Sequence, residues 1–208
     1  MNHIITISRQ FGSGGAEIGE LLAKKLGVKY YDKELLKRAA EDSGMCHEIF
    51  ENHDEKPTNS FLYNLVMDTY TFGYGSSPYV EMPISHKVFL AQFDAIKNIA
   101  KEGPCVIVGR CADYALEEMD NVVNVFICGC MESRIERVSK KYSLSEDKAR
   151  DMIIKKDKQR ANYHNYYSSK KWGHAGSYHV CIDSSMLGIE GTVDFLQNFL
   201  DKYIETKA

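Results

Sequence analysis

Ile4-Ile5-Thr6-Ile7-Ser8-Arg9-Gln10-Phe11-Gly12-Ser13-Gly14-Gly15-Ala16-Glu17-Ile18-Gly19 is the stretch on which the reading of this chain turns. Ile4 to Ser8 is apolar and β-branched, the composition of a strand. From Gly14 to Leu26, Ile18, Leu21, Leu22 and Leu26 recur at helical spacing, and Gly27 is a plausible stop. Between strand and helix stands a glycine-rich turn. That layout lets backbone N–H groups approach an anion at a helix N-terminus. A plain tight turn is the alternative reading.

Outward from the loop, Val28 to Tyr31 reads as a second short strand, and Asp32 opens a helix with Leu35, Leu36 and Ala39 on one face. Ser85 to Glu102 is an amphipathic helix carrying Phe89, Phe93, Ile96 and Ile99, ended by Gly103-Pro104. Cys105 to Val108, Val122 to Cys128 and Val180 to Ile182 are apolar runs of the kind buried on both faces of a sheet. Strands alternating with helices imply crossover connections and a parallel sheet between two helical layers. The region from Glu132 to Tyr167 is helical and charged, and Ser143 with Glu146 has capping-box spacing.

The chain has 208 residues, 44% hydrophobic and 26% charged, which fits one soluble domain with its own core. A net charge of −3 gives no support for a nucleic-acid or membrane-surface role. No apolar run approaches the ~18 residues of a transmembrane helix. The start of the chain lacks the basic n-region of a signal peptide, so a cytoplasmic location is expected. Of six cysteines, Cys105, Cys111, Cys128 and Cys181 lie in or beside strand-like runs, where structural burial is favoured over a metal or redox role. Cys128-Gly129-Cys130 has no second pair at zinc spacing.

Three arginine groups stand where an anion would be met. Arg110 follows the buried run ending at Val108, at the end of the sheet where ligands gather. It suits bidentate phosphate contact, or else a surface ion pair with Asp113. Arg134 and Arg137 share a helix face, and Arg160 follows Asp157 by about one turn. They neutralise a triphosphate on one reading and salt-bridge an exposed helix on the other.

Taken with Ile7 to Gly15, Tyr31-Asp32, Val106 to Asp113, Arg134 with Arg137, Asp157 with Arg160, and Tyr178 to Ser184, the chain resembles the cytidylate kinase-like family of P-loop nucleoside monophosphate kinases over nearly its whole length. The resemblance implies a three-layer α/β P-loop NTPase-like fold with a five-stranded parallel sheet. The core would be residues 1–40, 84–131 and 178–208, with a flap over 41–83 and a lid over 132–177. It implies ATP and Mg²⁺ as co-substrates and CMP or dCMP as acceptor. Carried over by position, Phe11, Gly12, Ser13, Gly14, Gly15 and Ala16 hold the ATP phosphates. Asp32, Arg110, Asp113 and Asp157 face the acceptor, and Arg9, Arg134, Arg137 and Arg160 serve the transfer. No residue is assigned to a metal. The partners implied are small-molecule nucleotides, with the oligomeric state left open.

The loop departs from the family pattern in three places. Arg9 stands at the position of its first glycine, its lysine position is Gly15, and where a small residue and then a threonine follow, this chain has Ala16 and Glu17. Arg9 or a lid arginine is then expected to supply the missing charge, and Glu17 to repel phosphate unless it helps bind the metal. These departures keep open a nucleotide-binding protein with little catalysis. The aromatic flap, with Phe61, Tyr63, Tyr70, Phe72, Tyr74 and Tyr79, keeps open a kinase of another small molecule.

Overall fold

The computed structural model describes residues 3–55 and 83–207, so the flap aromatics lie outside the described residues, as does a helix-like piece that the sequence suggests from Phe61 to Tyr70. Five strands, β1 (Ile4–Arg9), β2 (Lys29–Tyr31), β3 (Cys105–Val108), β4 (Val122–Cys128) and β5 (Val180–Asp183), form one sheet in the order β2-β3-β1-β4-β5. All neighbours are parallel, with Ile5 opposite Val106 on one side and Val123 on the other. The first strand of the chain therefore lies at the centre of the sheet. Its end, where the glycine loop begins, sits between the ends of β3 and β4.

The helices are α1 (Gly15–Leu26), α2 (Lys33–Ser43), α3 (His47–His53), α4 (Ile84–Glu102), α5 (Ala112–Ala115), α6 (Met131–Tyr142), α7 (Glu146–Ser168) and α8 (Ser184–Lys207). They cover both faces because strand side chains alternate. Ile5, Ile7, Val106 and Val108 pack with Ile18 and Leu22 of α1 and with Leu196 and Leu200 of α8. Ile4, Cys105 and Ile107 face the other way, onto Leu35 of α2, Ile96 and Ile99 of α4, and Leu116. α8 breaks at Gly188, whose φ of 67° and ψ of −176° leave the helical range.

Four expectations are corrected. The stretch from Glu41 is not all insert: α3 buries Phe50 completely against Leu36, Ala39 and Val88, so residues 41–55 contribute to the core. Ser143 caps no helix start. It takes a left-handed conformation that ends α6, and Ser145 occupies the N-cap of α7 without a side-chain bond. The reason is the short link, where Leu144 turns in against the cluster of Ile135 and Val138. β5 is not buried on both faces. It is an edge strand, with Val180 half-buried and Cys181 exposed. Structural burial accordingly holds for Cys105 and Cys111 but not for Cys130 or Cys181. Burial pushes the Cys105 thiol up to about 11 and the Cys111 thiol well above its ordinary value, so both are chemically quiet. Among the described residues, no helix is long and apolar enough to cross a membrane.

Candidate active site

β1 hands the chain to the loop through one more sheet-like bond, Gln10 N–H to the Ile127 carbonyl at 2.9 Å. Gln10 Oε1 then accepts from Gly129 N–H at 3.1 Å, tying the loop to the end of β4. Ser13 turns inward and donates to the Gln10 carbonyl at 2.9 Å. Gly12 and Gly14 have φ of 82° and 78°, a region that side chains rarely enter, so the turn needs glycine there. The first bond of α1 runs from Ile18 N–H to the Gly14 carbonyl. The N–H groups before it have no acceptor within the helix, and they carry the positive end of its dipole.

Gly15 explains the missing lysine. A Cβ at this position would lie 2.5 Å from Arg9 Cβ. The space in which a lysine would root is filled by the stem of Arg9.

A cavity of about 560 Å³ opens over this loop. Seven basic residues line it (Arg9, Lys33, Arg110, Arg137, Lys141, Lys156, Arg160) against four carboxylates, Glu17, Asp32, Asp54 and Glu55. In a chain of net charge −3, this concentrates positive charge in one place. Phe11, Gly12, Gly14, Gly15 and Ala16 also form its wall. Arg160 stands 5.6 Å above the Phe11 ring, a cation–π distance.

Each predicted arginine meets a carboxylate. Arg9 Nη1 donates to Glu55 Oε1 at 2.5 Å, and Arg160 Nε to Glu55 Oε2 at 3.1 Å. Arg110 is held by Asp54 through Nε at 3.0 Å and Nη2 at 2.8 Å, and by Asp32 through Nη1. Arg134 pairs with Asp157 at 2.5 Å, and Arg137 with Glu17 at 2.9 Å. Glu17 is therefore neutralised beside the loop. Burial alone would raise the Glu55 carboxyl, but the charges of Arg9, Arg160 and Arg110 outweigh it and hold it well below the carboxylate range.

Gly109, Arg110 and Cys111 have consecutive positive φ values of 75°, 53° and 55°. For the two non-glycine residues such strain costs of order 1–3 kcal/mol each, and it collects at ligand sites. Here it turns the chain sharply after β3. The Arg110 side chain folds back over the strand end, where Nη1 also donates to the Val108 carbonyl at 2.9 Å.

Four predicted residues do not reach the cavity wall. Ser13 is spent inside the turn. Asp113 is buried and bonds His164 Nε2 at 2.7 Å, so it ties α5 to α7 and forms no ion pair with Arg110. Asp157 and Arg134 lie behind the loop. One Asp157 oxygen accepts from Phe11 N–H at 2.7 Å and the other from Arg134, which makes the pair a clamp on the loop. Burial pushes the Asp157 carboxyl up, against the Phe11 N–H and the Arg134 charge. Asp157→Asn is expected to lower stability by about 1.5–3 kcal/mol, the scale of a charge-assisted bond. Urea titration would check it, and an unchanged midpoint would deny the clamp.

The sequence reading missed Asp54, Glu55, Lys33 and Gln159. No period or spacing marks Asp54-Glu55, whose partners come from β1, the turn after β3, and α7. Lys141 and Lys156 lie in the charged helical region from Glu132 to Tyr167, and nothing local separates them from its other basic residues.

The cradle suits the phosphates of ATP. It offers helix-terminal N–H groups, a turn with no side chains in the way, and a surplus of cations. Mg²⁺ finds less. Among the described residues no three His, Cys, Asp or Glu side chains cluster as a metal site. The carboxylates on the cavity wall are all engaged by guanidinium groups.

No curated protein sequence matches the chain. An uncharacterized protein from Eubacterium ventriosum has a similar structure, with a TM-score of 0.72 and 27% identity over 96% of this chain and 99% of that one. Shikimate kinase from Bacteroides thetaiotaomicron superposes with a TM-score of 0.56 at 16% identity, over 97% and 99% of the two chains. Shikimate kinase from Aquifex aeolicus reaches 0.50 at 16% identity, over 96% and 97%. These two show the fold, a P-loop NTPase-like α/β sandwich. The model of the cytidylate kinase-like family matches residues 4–186, which takes in the loop, the Arg110 turn and both arginine-bearing helices. With its glycine cradle at the end of the central strand and its arginines around it, the chain belongs to the cytidylate kinase-like family.

Proposed function

We propose that the protein is a phosphotransferase that moves the terminal phosphoryl group of ATP to a nucleoside monophosphate, CMP or dCMP. The observation that carries this is the convergence of a helix-terminal glycine loop and seven basic residues on one cavity of a chain with no positive charge overall. ATP supplies an activated phosphoryl group. The chain's own work is to bind and orient. The loop N–H groups and the α1 dipole hold phosphate oxygens, and Phe11 is kept in place by the Asp157 clamp. Arg9 and Arg160 lie where negative charge is to be stabilised, and preorganised donors of that kind contribute several kcal/mol to a barrier. No covalent intermediate is needed, since positioning and electrostatics suffice for phosphoryl transfer.

A second reading is favoured by Arg110. Its guanidinium is already held by Asp32 and Asp54, and carboxylates are suited to accept hydrogen bonds from hydroxyl groups. The acceptor would then present a hydroxyl instead of a phosphate.

One screen tests both. ATP at about 100 times its Kd is expected to add about 2.7 kcal/mol of stability, roughly 5–10 °C in Tm for a chain of this size. A coupled assay of ADP formation with nucleoside monophosphates then reads the acceptor. ADP formation only with a polyhydroxylated acid or sugar would replace the first reading by the second. Binding of ATP with no turnover on any acceptor would leave a nucleotide-binding protein, and no stabilisation by any nucleotide would overturn the site itself.

A further inference from the structure

We propose that Arg9, Arg160 and the backbone N–H of Arg110 form an oxyanion site for a phosphoryl group, and that the Glu55 carboxylate occupies this site until the ligand displaces it. The inference rests on the reading of the cavity as a phosphate site.

Three donors from three separate elements surround one carboxylate. Oε1 accepts from Arg9 Nη1 at 2.5 Å and from Arg110 N–H at 3.2 Å, and Oε2 accepts from Arg160 Nε at 3.1 Å. Two guanidiniums and an inward-facing amide are the donor set that binds phosphoryl oxygens. Gly109 keeps the place open, because a Cβ there would overlap both Arg9 Nη1 and Glu55 Oε1.

The arrangement needs an anion at all times. Burial and the Arg9 charge both work against the charged form of Arg160, and the charges of Glu55 and Asp157 offset them only in part. Without a counter-charge the two guanidiniums would repel each other in a buried setting. A carboxylate brings one negative charge and two oxygens. A phosphoryl group brings up to two charges and three oxygens, so it is the stronger ligand for the same donors.

Glu55 also has the character of a displaceable group. Its φ of 49° is in the left-handed region, so its backbone is strained where it stands. Among the described residues its carbonyl accepts from Gln159 Nε2 at 3.2 Å. Relaxing that strain favours departure when a better anion arrives. A fixed structural role would be served as well by a residue in ordinary extended conformation.

The test is calorimetric binding of inorganic tripolyphosphate to the parent chain, Glu55→Gln and Glu55→Asp. Tripolyphosphate involves no acceptor and no turnover, so this result stands apart from any kinase assay. Glu55→Gln is expected to bind about tenfold tighter than the parent. Glu55→Asp keeps the charge and so guards against a folding defect, but its shorter carboxylate cannot span both guanidiniums. It is expected to bind about threefold tighter. Equal or weaker binding by both variants would overturn the inference and make Glu55 a post that orients Arg9 and Arg160. Absence of binding by all three chains would overturn it together with the phosphate reading. Tighter binding by the variants in a protein that turns over no nucleotide would support it while removing the proposed reaction.

Discussion

Arg9→Ala is expected to cost the folded state about 3–5 kcal/mol, the range for removing one partner of a buried ion pair, and to lower turnover by about 100-fold or more. As a loop residue seen in sequence, Arg9 looks replaceable without harm to the fold. The structure changes that expectation. Arg9 is only 7% exposed, and Glu55 beside it is 9% exposed. Alanine would leave Glu55 with Arg160 and one N–H, and the rest of its charge unanswered. The two effects separate in a double variant. Arg9→Met with Glu55→Leu removes both charges and keeps apolar volume, so stability should return to within about 1–2 kcal/mol of the parent. Activity should stay lost. Urea unfolding and the ADP-coupled assay on the single and double variants read the two quantities. An Arg9→Ala chain as active as the parent would show that Arg9 does not stand in for the loop lysine.

Gly15→Lys, which writes the usual lysine back into the loop, is expected to lose activity and to destabilise the fold by about 1–3 kcal/mol. The reason is steric. The new Cβ would sit 2.5 Å from Arg9 Cβ, and the next contact, Arg9 Cγ, is 3.1 Å away. These are atoms near the backbone and cannot swing aside as a side-chain end does. Either α1 must shift from the sheet or Arg9 must leave Glu55. Gly15→Ala brings the same Cβ without the ammonium, so it should show a similar stability loss and a similar loss of activity. A Gly15→Lys chain with parental stability and higher turnover would show that strand and helix can carry both cations, and that Arg9 does not fill the lysine's place.

Both predictions test one proposal, that an arginine on the strand stands in for a lysine on the helix. Such an exchange would let the loop keep its form without its best-known side chain. It also changes where the charge points. Arg9 reaches toward Gly109 and Glu55 at the end of β3, not back along α1. Charge in this site is therefore concentrated between the central strand, the Arg110 turn and α7.

The sheet, its parallel sense and the glycine loop could be read from the chain because their causes are local. β-branched runs at Ile4 to Ser8 and Val122 to Cys128 need only their own neighbours in sequence to show a strand. The positions of Arg110, Arg137 and Arg160 near one cavity followed from strand ends and the family resemblance. The edge character of β5 did not, because an apolar run has the same composition whether or not a neighbour covers it. Nor did the partners of the arginines. Asp113 is three residues from Arg110 yet bonds His164, while Asp54, 56 residues away, takes the guanidinium. Ion pairing is decided by which surfaces the packed helices bring face to face, and charge on its own carries no address. Sequence alone determined that this protein builds a phosphate-type loop at the head of a parallel sheet. Tertiary structure alone decided that the counter-ion of Arg9 is Glu55, because only the packing of β1, the turn after β3 and α7 brings those groups within hydrogen-bond reach.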